Sequence, residues 1–169
     1  GEFLFHARLE DIAVRNGKLY SVLLRDVKSG NIREEKASEL VLAIGHSSRD
    51  TFSMLERRGF AMQEREFAVG VRIEHLQEKI NFAQYSATHN LLPPADYKLV
   101  SHAGPRPVFT FCMCPGGYVV PASSEEGGVV TNGMSNYARD GANANSALLA
   151  QIRREDFFRG SVLDGVEFQ

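Results

Sequence analysis

The hairpin sequence Ile12-Ala-Val-Arg-Asn-Gly-Lys-Leu-Tyr-Ser-Val22 decides how the first part of this chain folds. Asn-Gly at positions 16 and 17 is a strong signal for a two-residue turn, because both central residues of such a turn need a positive φ. Apolar residues recur on either side of it, as they do in half-buried strands. The stretch therefore predicts two antiparallel strands between Glu2 and Val27.

Two more strands are predicted immediately after this hairpin. A turn at Ser29-Gly30-Asn31 leads into a short polar strand over Ile32 to Lys36. Leu40-Val-Leu-Ala-Ile44 is a continuous apolar run, which is typical of a strand buried on both faces. We therefore expect Leu40 to Ile44 to be a central strand.

A glycine and a helix start follow that apolar run. Ser47-x-x-Asp50 matches a capping box and predicts a helix over Thr51 to Arg58, with Gly59 just beyond its end. A strand that ends in glycine before a helix allows close backbone approach and a favourable dipole for an anion. Gly45 and His46 are therefore candidate cofactor-binding residues. The alternatives are that Gly45 only permits a tight turn and that His46 caps the helix or lies on the surface.

The rest of the chain is predicted to be mainly β. The predicted elements are a half-polar strand over Phe67 to His75, a helix over Leu76 to Tyr85, and strands over Tyr97 to His102, Val108 to Met113, Tyr118 to Ala122 and Val129 to Asn132. Short connections favour antiparallel pairing. Ser135 to Ser146 is rich in Asn, Ala and Gly and is predicted to be a loop that binds a ligand. The fold class is therefore α+β: a mainly antiparallel sheet with a few helices.

Composition excludes several classes of protein. The 169 residues are 43% hydrophobic and 24% charged, outside the disordered, collagenous and coiled-coil ranges. A net charge of -2 provides no positive field for a polyanion, so we expect no nucleic-acid partner. The longest apolar run is too short for a membrane span, and Gly1 to Arg8 lacks the pattern of a secretory signal. With two cysteines and no Asn-x-Ser/Thr sequon, we expect a cytoplasmic chain without a membrane partner.

Familiar cofactor and catalytic motifs are missing from the sequence. No complete dinucleotide-binding glycine loop or Walker loop occurs, and Gly45-His-Ser-Ser-Arg49 lacks the closing glycine of a serine nucleophile elbow. A zinc site needs a second ligand pair, whereas Cys-Met-Cys stands alone and the histidines are scattered at positions 6, 46, 75, 89 and 102. We therefore predict no metal site.

The two cysteines are candidates for catalytic thiols. Cys112 and Cys114 are two residues apart in a predicted strand, so regular alternation would place both side chains on one face. Two strand steps span about 6.6 Å, near the upper limit for an unstrained disulfide. The two interpretations are a redox pair beside an electron acceptor and a pair of inert buried thiols.

Four other residues are candidates for binding a substrate. Arg72 and His75 are neighbours in the half-polar strand, although Arg72 could instead form a salt bridge with Glu74. Tyr118 follows a Pro-Gly-Gly turn and either lines a pocket or packs against its cross-strand neighbour. Arg139 lies in the predicted loop and either binds an anion or is an ordinary solvated charge.

Several long and unusual strings occur along the chain. They include Leu40-Val-Leu-Ala-Ile-Gly-His-Ser-Ser-Arg-Asp-Thr-Phe52, Phe67-Ala-Val-Gly-Val-Arg-Ile-Glu-His75, Thr110-Phe-Cys-Met-Cys-Pro-Gly-Gly-Tyr-Val-Val120 and Thr131-Asn-Gly-Met-Ser135. These strings resemble one known group, the bacterial proteins described as uncharacterised FAD-dependent, or NAD/FAD-utilising, dehydrogenases. The resemblance covers nearly the whole chain and is specific, because the strings are long.

The resemblance implies a domain division and a cofactor. Residues 1–60 would be the later part of an FAD-binding Rossmann-like domain, and residues 61–169 an inserted β-rich substrate or cap domain. Gly45 and His46 would lie near FAD, with Gly133 and Met134 as further cofactor-side positions, and NAD(P)H is a candidate reductant. Family members carry a glycine-rich FAD fingerprint N-terminal to this region, and this chain does not.

The function expected from the sequence is therefore that of an internal part of an FAD-dependent oxidoreductase that acts on a small-molecule substrate. The isolated chain would be inactive, would bind no FAD by itself and would need the remainder of the FAD domain as its partner. The alternative is a non-catalytic module whose sheet and Asn/Gly-rich loop hold a small ligand or another protein.

Overall fold

The structure is a computed structural model that describes the backbone of residues 1–169 and the side chains of all of them except 89 and 90. The chain forms two compact units. Unit 1 comprises Gly1–Glu64 and Phe158–Gln169, and unit 2 comprises Arg65–Phe157. The strand pairs in both units are antiparallel, and short helices accompany them, which confirms the predicted α+β fold class.

Unit 1 contains the predicted meander. Its three strands are β1 (Ala7–Arg15), β2 (Lys18–Asp26) and β3 (Ile32–Lys36), in the order β1-β2-β3. Asn16 and Gly17 have φ values of 52° and 73°, so the two-residue hairpin turn is confirmed. Ile12 and Val22 lie opposite each other and are buried, which places the core of this sheet at the middle of the hairpin.

The helix predicted after position 50 is also present in unit 1. Helix α1 spans Arg49–Arg57, and the Gly59 and Phe60 amides donate to the carbonyls of Glu56 and Leu55. Gly59 has a φ of 73°, and these two bonds form a Schellman motif, so its predicted role is confirmed. The predicted capping box is wrong: the N-cap is Ser48, and its Oγ donates to the Ile44 carbonyl at 2.7 Å.

The strand predicted over Leu40 to Ile44 is wrong. None of the described strands pairs with this segment, and Val41 is 88% exposed. An apolar run of this kind becomes a buried strand only when neighbouring strands supply hydrogen-bond partners on both sides. In unit 1 the three strands of the meander pair with one another instead.

Unit 2 is built on a four-stranded sheet in the order β4-β9-β6-β5. A separate two-stranded ribbon, β7-β8, belongs to the same unit. The strands are β4 (Phe67–Leu76), β5 (Val100–Ser101), β6 (Val108–Cys114), β7 (Gly117–Pro121), β8 (Thr131–Ser135) and β9 (Asn143–Ile152).

Short helices complete both units. Unit 2 contains α2 (Gln77–Tyr85), a 3-10 turn over Ser86–Leu91 and α3 (Arg154–Phe157), and unit 1 ends with α4 (Asp164–Phe168). Within the described part of the chain, no helix has the length and apolar character that a membrane crossing would need.

The loop predicted over Ser135 to Ser146 is wrong in its last four residues. From Asn143 onward the chain is β9, which pairs with β4 on one side and with β6 on the other. Ala144, Asn145 and Ser146 are fully buried, so small polar residues occupy a central strand that shows no hydrophobic alternation.

Gln77 joins three segments of unit 2 at the start of α2. Its Nε2 donates to Asn81 Oδ1 at 2.8 Å and to the Ala95 carbonyl at 2.9 Å, and its Oε1 accepts a 2.7 Å bond from the Gly116 amide. The side chain is buried, and all three bonds replace bonds to water. Gln77 therefore fixes the turn between β6 and β7.

Candidate functional site

A cluster of polar groups lies on one face of the four-stranded sheet. The register places Glu74 of β4 opposite Asn145 of β9, and Arg72 opposite Ala147, so Arg72 and Asn145 point to the same face. Arg72 Nη1 donates to Asn145 Oδ1 at 2.8 Å and to the Cys112 carbonyl at 3.3 Å. Two side chains on neighbouring strands are thus held together by the guanidinium.

Gly133 of β8 covers these groups with backbone alone. A side-chain carbon at this position would overlap Asn145 Oδ1, Arg72 Nη1 and Cys114 Sγ. Only glycine therefore fits without a shift of the three groups beneath it. Arg72, Cys114, Gly133 and Asn145 together are named the donor cluster below.

The donor cluster holds N–H groups that have no acceptor among the described residues. Arg72 Nε and Asn145 Nδ2 are buried and unpartnered, and Asn145 is 0% exposed. A buried donor without an acceptor costs about 1–3 kcal/mol, so such groups in a native protein usually serve a ligand or ordered water. Arg72 also forms no ion pair with any described residue, and the salt bridge with Glu74 is therefore absent.

An irregularity in β6 determines where the two cysteines lie. Cys112 has a φ of 48°, and the register with β9 shifts between Phe111, opposite Ala147, and Cys114, opposite Asn145. A bulge therefore interrupts the strand, so the regular alternation from which both thiols were predicted to share a face is absent here. Cys114 lies in the donor cluster and its Sγ donates to the Cys112 carbonyl at 3.3 Å, while the Cys112 thiol is exposed.

His75 lies on the other face of the sheet from Arg72. The two residues are three apart in β4, and alternation therefore separates them. His75 Nε2 is 2.7 Å from Tyr97 Oη, and His75 Nδ1 is buried without a partner among the described residues. Burial raises the pKa of Tyr97, while a hydrogen bond with Ser146 acts in the opposite direction. His75 is therefore not part of the donor cluster.

The remaining candidates of unit 2 lie around the donor cluster rather than in it. Tyr118 is half-exposed on β7, and its Oη lies 3.0 Å from where a side-chain carbon of Gly141 would be. Arg139 is exposed and has a φ of 53°. Met134 follows Gly133 in β8, so its side chain points to the opposite face, where it is 57% exposed.

Gly45 and His46 precede α1 in unit 1, and both are exposed. Gly45 has a φ of 73°, and a side-chain carbon there would meet no described atom within 4 Å. The position therefore needs glycine for its backbone conformation and leaves room beside it. Among the described side chains, no group of His, Cys, Asp and Glu is arranged to hold a metal ion, and the side chain of His89 lies outside that set.

Asn145 is the member of the donor cluster that the sequence reasoning missed. It lies in the segment predicted to be a loop, so its burial was not expected. The available signal is the apolar run Ala147-Leu148-Leu149-Ala150 directly after Asn145 and Ser146. A strand signal of that kind, extended by two residues toward the N-terminus, would have brought Asn145 into the sheet.

The donor cluster lies within the part of the chain that matches a known family. Residues 66–169 match the family described as "FAD-dependent protein, C-terminal domain-like". A protein from Clostridium beijerinckii, described as "Uncharacterized protein", is 53% identical over 173 residues. The match covers 100% of this chain and 31% of that relative, so the chain spans about a third of its length. With more than half of its residues matched, the chain belongs to the FAD-dependent protein, C-terminal domain-like family.

Proposed function

We propose that the chain is an internal part of an FAD-dependent oxidoreductase, a dehydrogenase of the cytoplasm that acts on a small molecule. In this proposal residues 1–60 are the later part of the FAD-binding domain, and residues 61–169 are a β-rich substrate or cap domain. The chain acts together with the remainder of the FAD domain and is inactive without it. Membership in an FAD-dependent family supports the flavin, and the 31% coverage of the relative supports a larger whole.

The observation that carries the proposal is the donor cluster. Buried N–H groups of Arg72 and Asn145 lack acceptors, and they lie inside the segment that matches the family. A sheet that served only as a scaffold would gain stability from apolar residues at these positions. We therefore assign the donor cluster to the substrate side of the site.

The residues before α1 fit an anionic part of FAD. Gly45 has the positive φ and the open surroundings that allow a ligand to approach the backbone closely, and the N-terminal amides of α1 follow it. Gly45 and His46 would hold the cofactor there. FAD, when bound, would supply the hydride chemistry between the substrate and a nicotinamide such as NAD(P)H.

The protein's own groups position the reactants. Arg72 and Asn145 donate hydrogen bonds to an acceptor on the substrate and so orient it, while the Gly133 backbone limits the entry of water. Cys114 is the thiol that would contact such a ligand, whereas Cys112 contributes its carbonyl to Arg72. The complete protein means the longer protein of which this chain is proposed to be a part. Replacing both cysteines by serine in the complete protein tests a thiol role, and unchanged turnover would exclude it.

Flavin content tests the proposal directly. The complete protein is purified with added FAD, and the flavin absorbance per polypeptide is measured before and after anaerobic addition of NADH or NADPH. We expect stoichiometric flavin that is bleached by reductant, and little flavin on the 169-residue chain alone. Gly45→Ala should lower the flavin content, while Gly17→Ala, which also alters an open glycine with positive φ in unit 1, should leave it unchanged.

Three results would contradict the proposal. If the complete protein binds no flavin, FAD is not its cofactor and that part of the proposal is wrong. Tight stoichiometric binding of FAD by the isolated chain would instead show that the chain is not an incomplete part. If ligands bind but no reductant bleaches the flavin, a non-catalytic binding module explains the protein better.

A further inference from the structure

We infer that the donor cluster binds the carboxylate of a small-molecule ligand. The inference names the class of substrate for the site proposed above and therefore rests on the proposed function. It concerns unit 2 alone and uses the contacts of Arg72, Cys114, Gly133 and Asn145.

The Arg72 guanidinium has no acidic partner among the described residues. Two other partly buried arginines pair with acids: Arg25 Nε lies 2.8 Å from Glu10, and Arg106 forms a two-point ion pair with Asp156. The Arg72 guanidinium instead contacts a neutral amide oxygen and a backbone carbonyl. A partly buried cation whose hydrogen-bond partners are neutral favours an anion as the missing partner.

The polar atoms of the donor cluster that lack a partner are all hydrogen-bond donors. Arg72 Nε and Asn145 Nδ2 are both donors, and Asn145 Oδ1 is already used by Arg72. A ligand that fits must therefore bring acceptors only. A carboxylate brings two acceptor oxygens and one negative charge, which matches a single guanidinium. A phosphate group would bring up to about two charges at neutral pH and leave an excess negative charge in a buried place.

The unpartnered donors are covered only by the backbone of Gly133. Gly133 lies directly above them and contributes no side chain, so the barrier between the donors and the outside is one layer of backbone. That layer belongs to the β7-β8 ribbon, which pairs with itself rather than with the four-stranded sheet. A carboxylate would reach the donors only after this ribbon, which packs against β4, β6 and β9, moves away from them; no strand pair of the main sheet would break.

The experiment is a thermal denaturation titration of the complete protein with FAD and after its removal. The probes are sodium acetate, sodium benzoate and inorganic phosphate, each compared with sodium chloride at the same ionic strength. A ligand that binds only the folded state raises Tm in a saturable way. We expect the carboxylates to do so in both forms of the protein, and phosphate to act like chloride.

Three variants locate the effect. Arg72→Gln removes a charged hydrogen bond to the ligand. It should raise the carboxylate concentration needed for half of the full rise in Tm by roughly 10- to 100-fold. Asn145→Asp supplies the missing carboxylate internally, so it should raise Tm without ligand and abolish the response. Arg153→Gln removes an exposed guanidinium of the same unit and should leave the response unchanged.

Three results overturn the inference, and a fourth separates it from the proposed function. A wild-type protein without a saturable carboxylate response does so, and so does an Asn145→Asp variant that still responds. A response confined to the FAD-free protein would mean that flavin oxygens occupy these donors instead. If the complete protein binds no FAD but responds to carboxylates, the proposed function fails and the carboxylate site stands.

Discussion

Replacing Gly116 by alanine tests how the turn between β6 and β7 supports the site. Gly116 has a φ of 53°, its amide donates to buried Gln77, and its carbonyl accepts a 3.1 Å bond from the Gly141 amide. A side-chain carbon there would overlap the Arg139 carbonyl, which is backbone and cannot rotate away. Gly127 is the matched control, since its φ is 77° and a side-chain carbon would meet no described atom within 4 Å.

The expected losses follow from these two environments. Both alanines enter the left-handed region, which costs about 1–2 kcal/mol. Both also lower the conformational entropy of the unfolded chain, which offsets this cost by about 0.4–1 kcal/mol in each variant. Only Gly116→Ala adds overpacking, worth about 1–3 kcal/mol. The free energy of unfolding should therefore fall by about 1–3 kcal/mol more for Gly116→Ala than for Gly127→Ala.

Urea unfolding followed by far-UV circular dichroism measures both variants, with peptide-resolved hydrogen exchange to show that the loss lies in unit 2. The denaturant slope m should be unchanged, because neither substitution alters the surface exposed on unfolding. Equal losses in the two variants would refute the reasoning. They would mean that the close approach of Arg139 to Gly116 contributes nothing to stability.

Three further outcomes are expected. Gln77→Ala leaves buried partners unsatisfied and should lower the free energy of unfolding by about 2–4 kcal/mol in urea titrations. Gln84→Ala, at the exposed glutamine of the same helix, should change it little. Hydrogen bonds from Arg106 lower the pKa of Asp156 from 3.8 to about 2, so the stability that this carboxylate provides above pH 3.8 is lost as the pH falls toward 2. Urea midpoints measured across that range should change less in Asp156→Asn. Iodoacetamide should alkylate exposed Cys112 faster than half-buried Cys114, as judged by mass spectrometry.

Local signals in the sequence were sufficient for much of the fold. The Asn16-Gly17 turn, the strand Ile32–Lys36 and the helix end at Gly59 are all present as predicted. Each depends on backbone preferences within a few residues, so no knowledge of distant contacts is required. The same holds for the half-polar strand β4, whose alternation is visible directly in the sequence.

The failures share a different cause, which is that burial depends on partners far along the chain. Leu40 to Ile44 reads as a buried strand, but strand formation needs neighbours that unit 1 does not offer it. Asn145 reads as a loop residue, but β4 and β6 enclose it. Arg72 was found as a candidate because it is a neighbour of His75 in the half-polar strand, whereas its contact with Asn145 depends on the pairing of two residues that lie 73 positions apart in the sequence.

The exposed run at Leu40 to Ile44 has a consequence for how the chain behaves in solution. Five apolar residues without a charge or a proline, carried outside any sheet, match the sequence signature of segments that stack into cross-β assemblies. We expect self-association to begin at this stretch, and a lysine in place of Val41 to act as a gatekeeper against it. The concentration at which the isolated chain precipitates would then depend on five residues rather than on the folding stability of either unit.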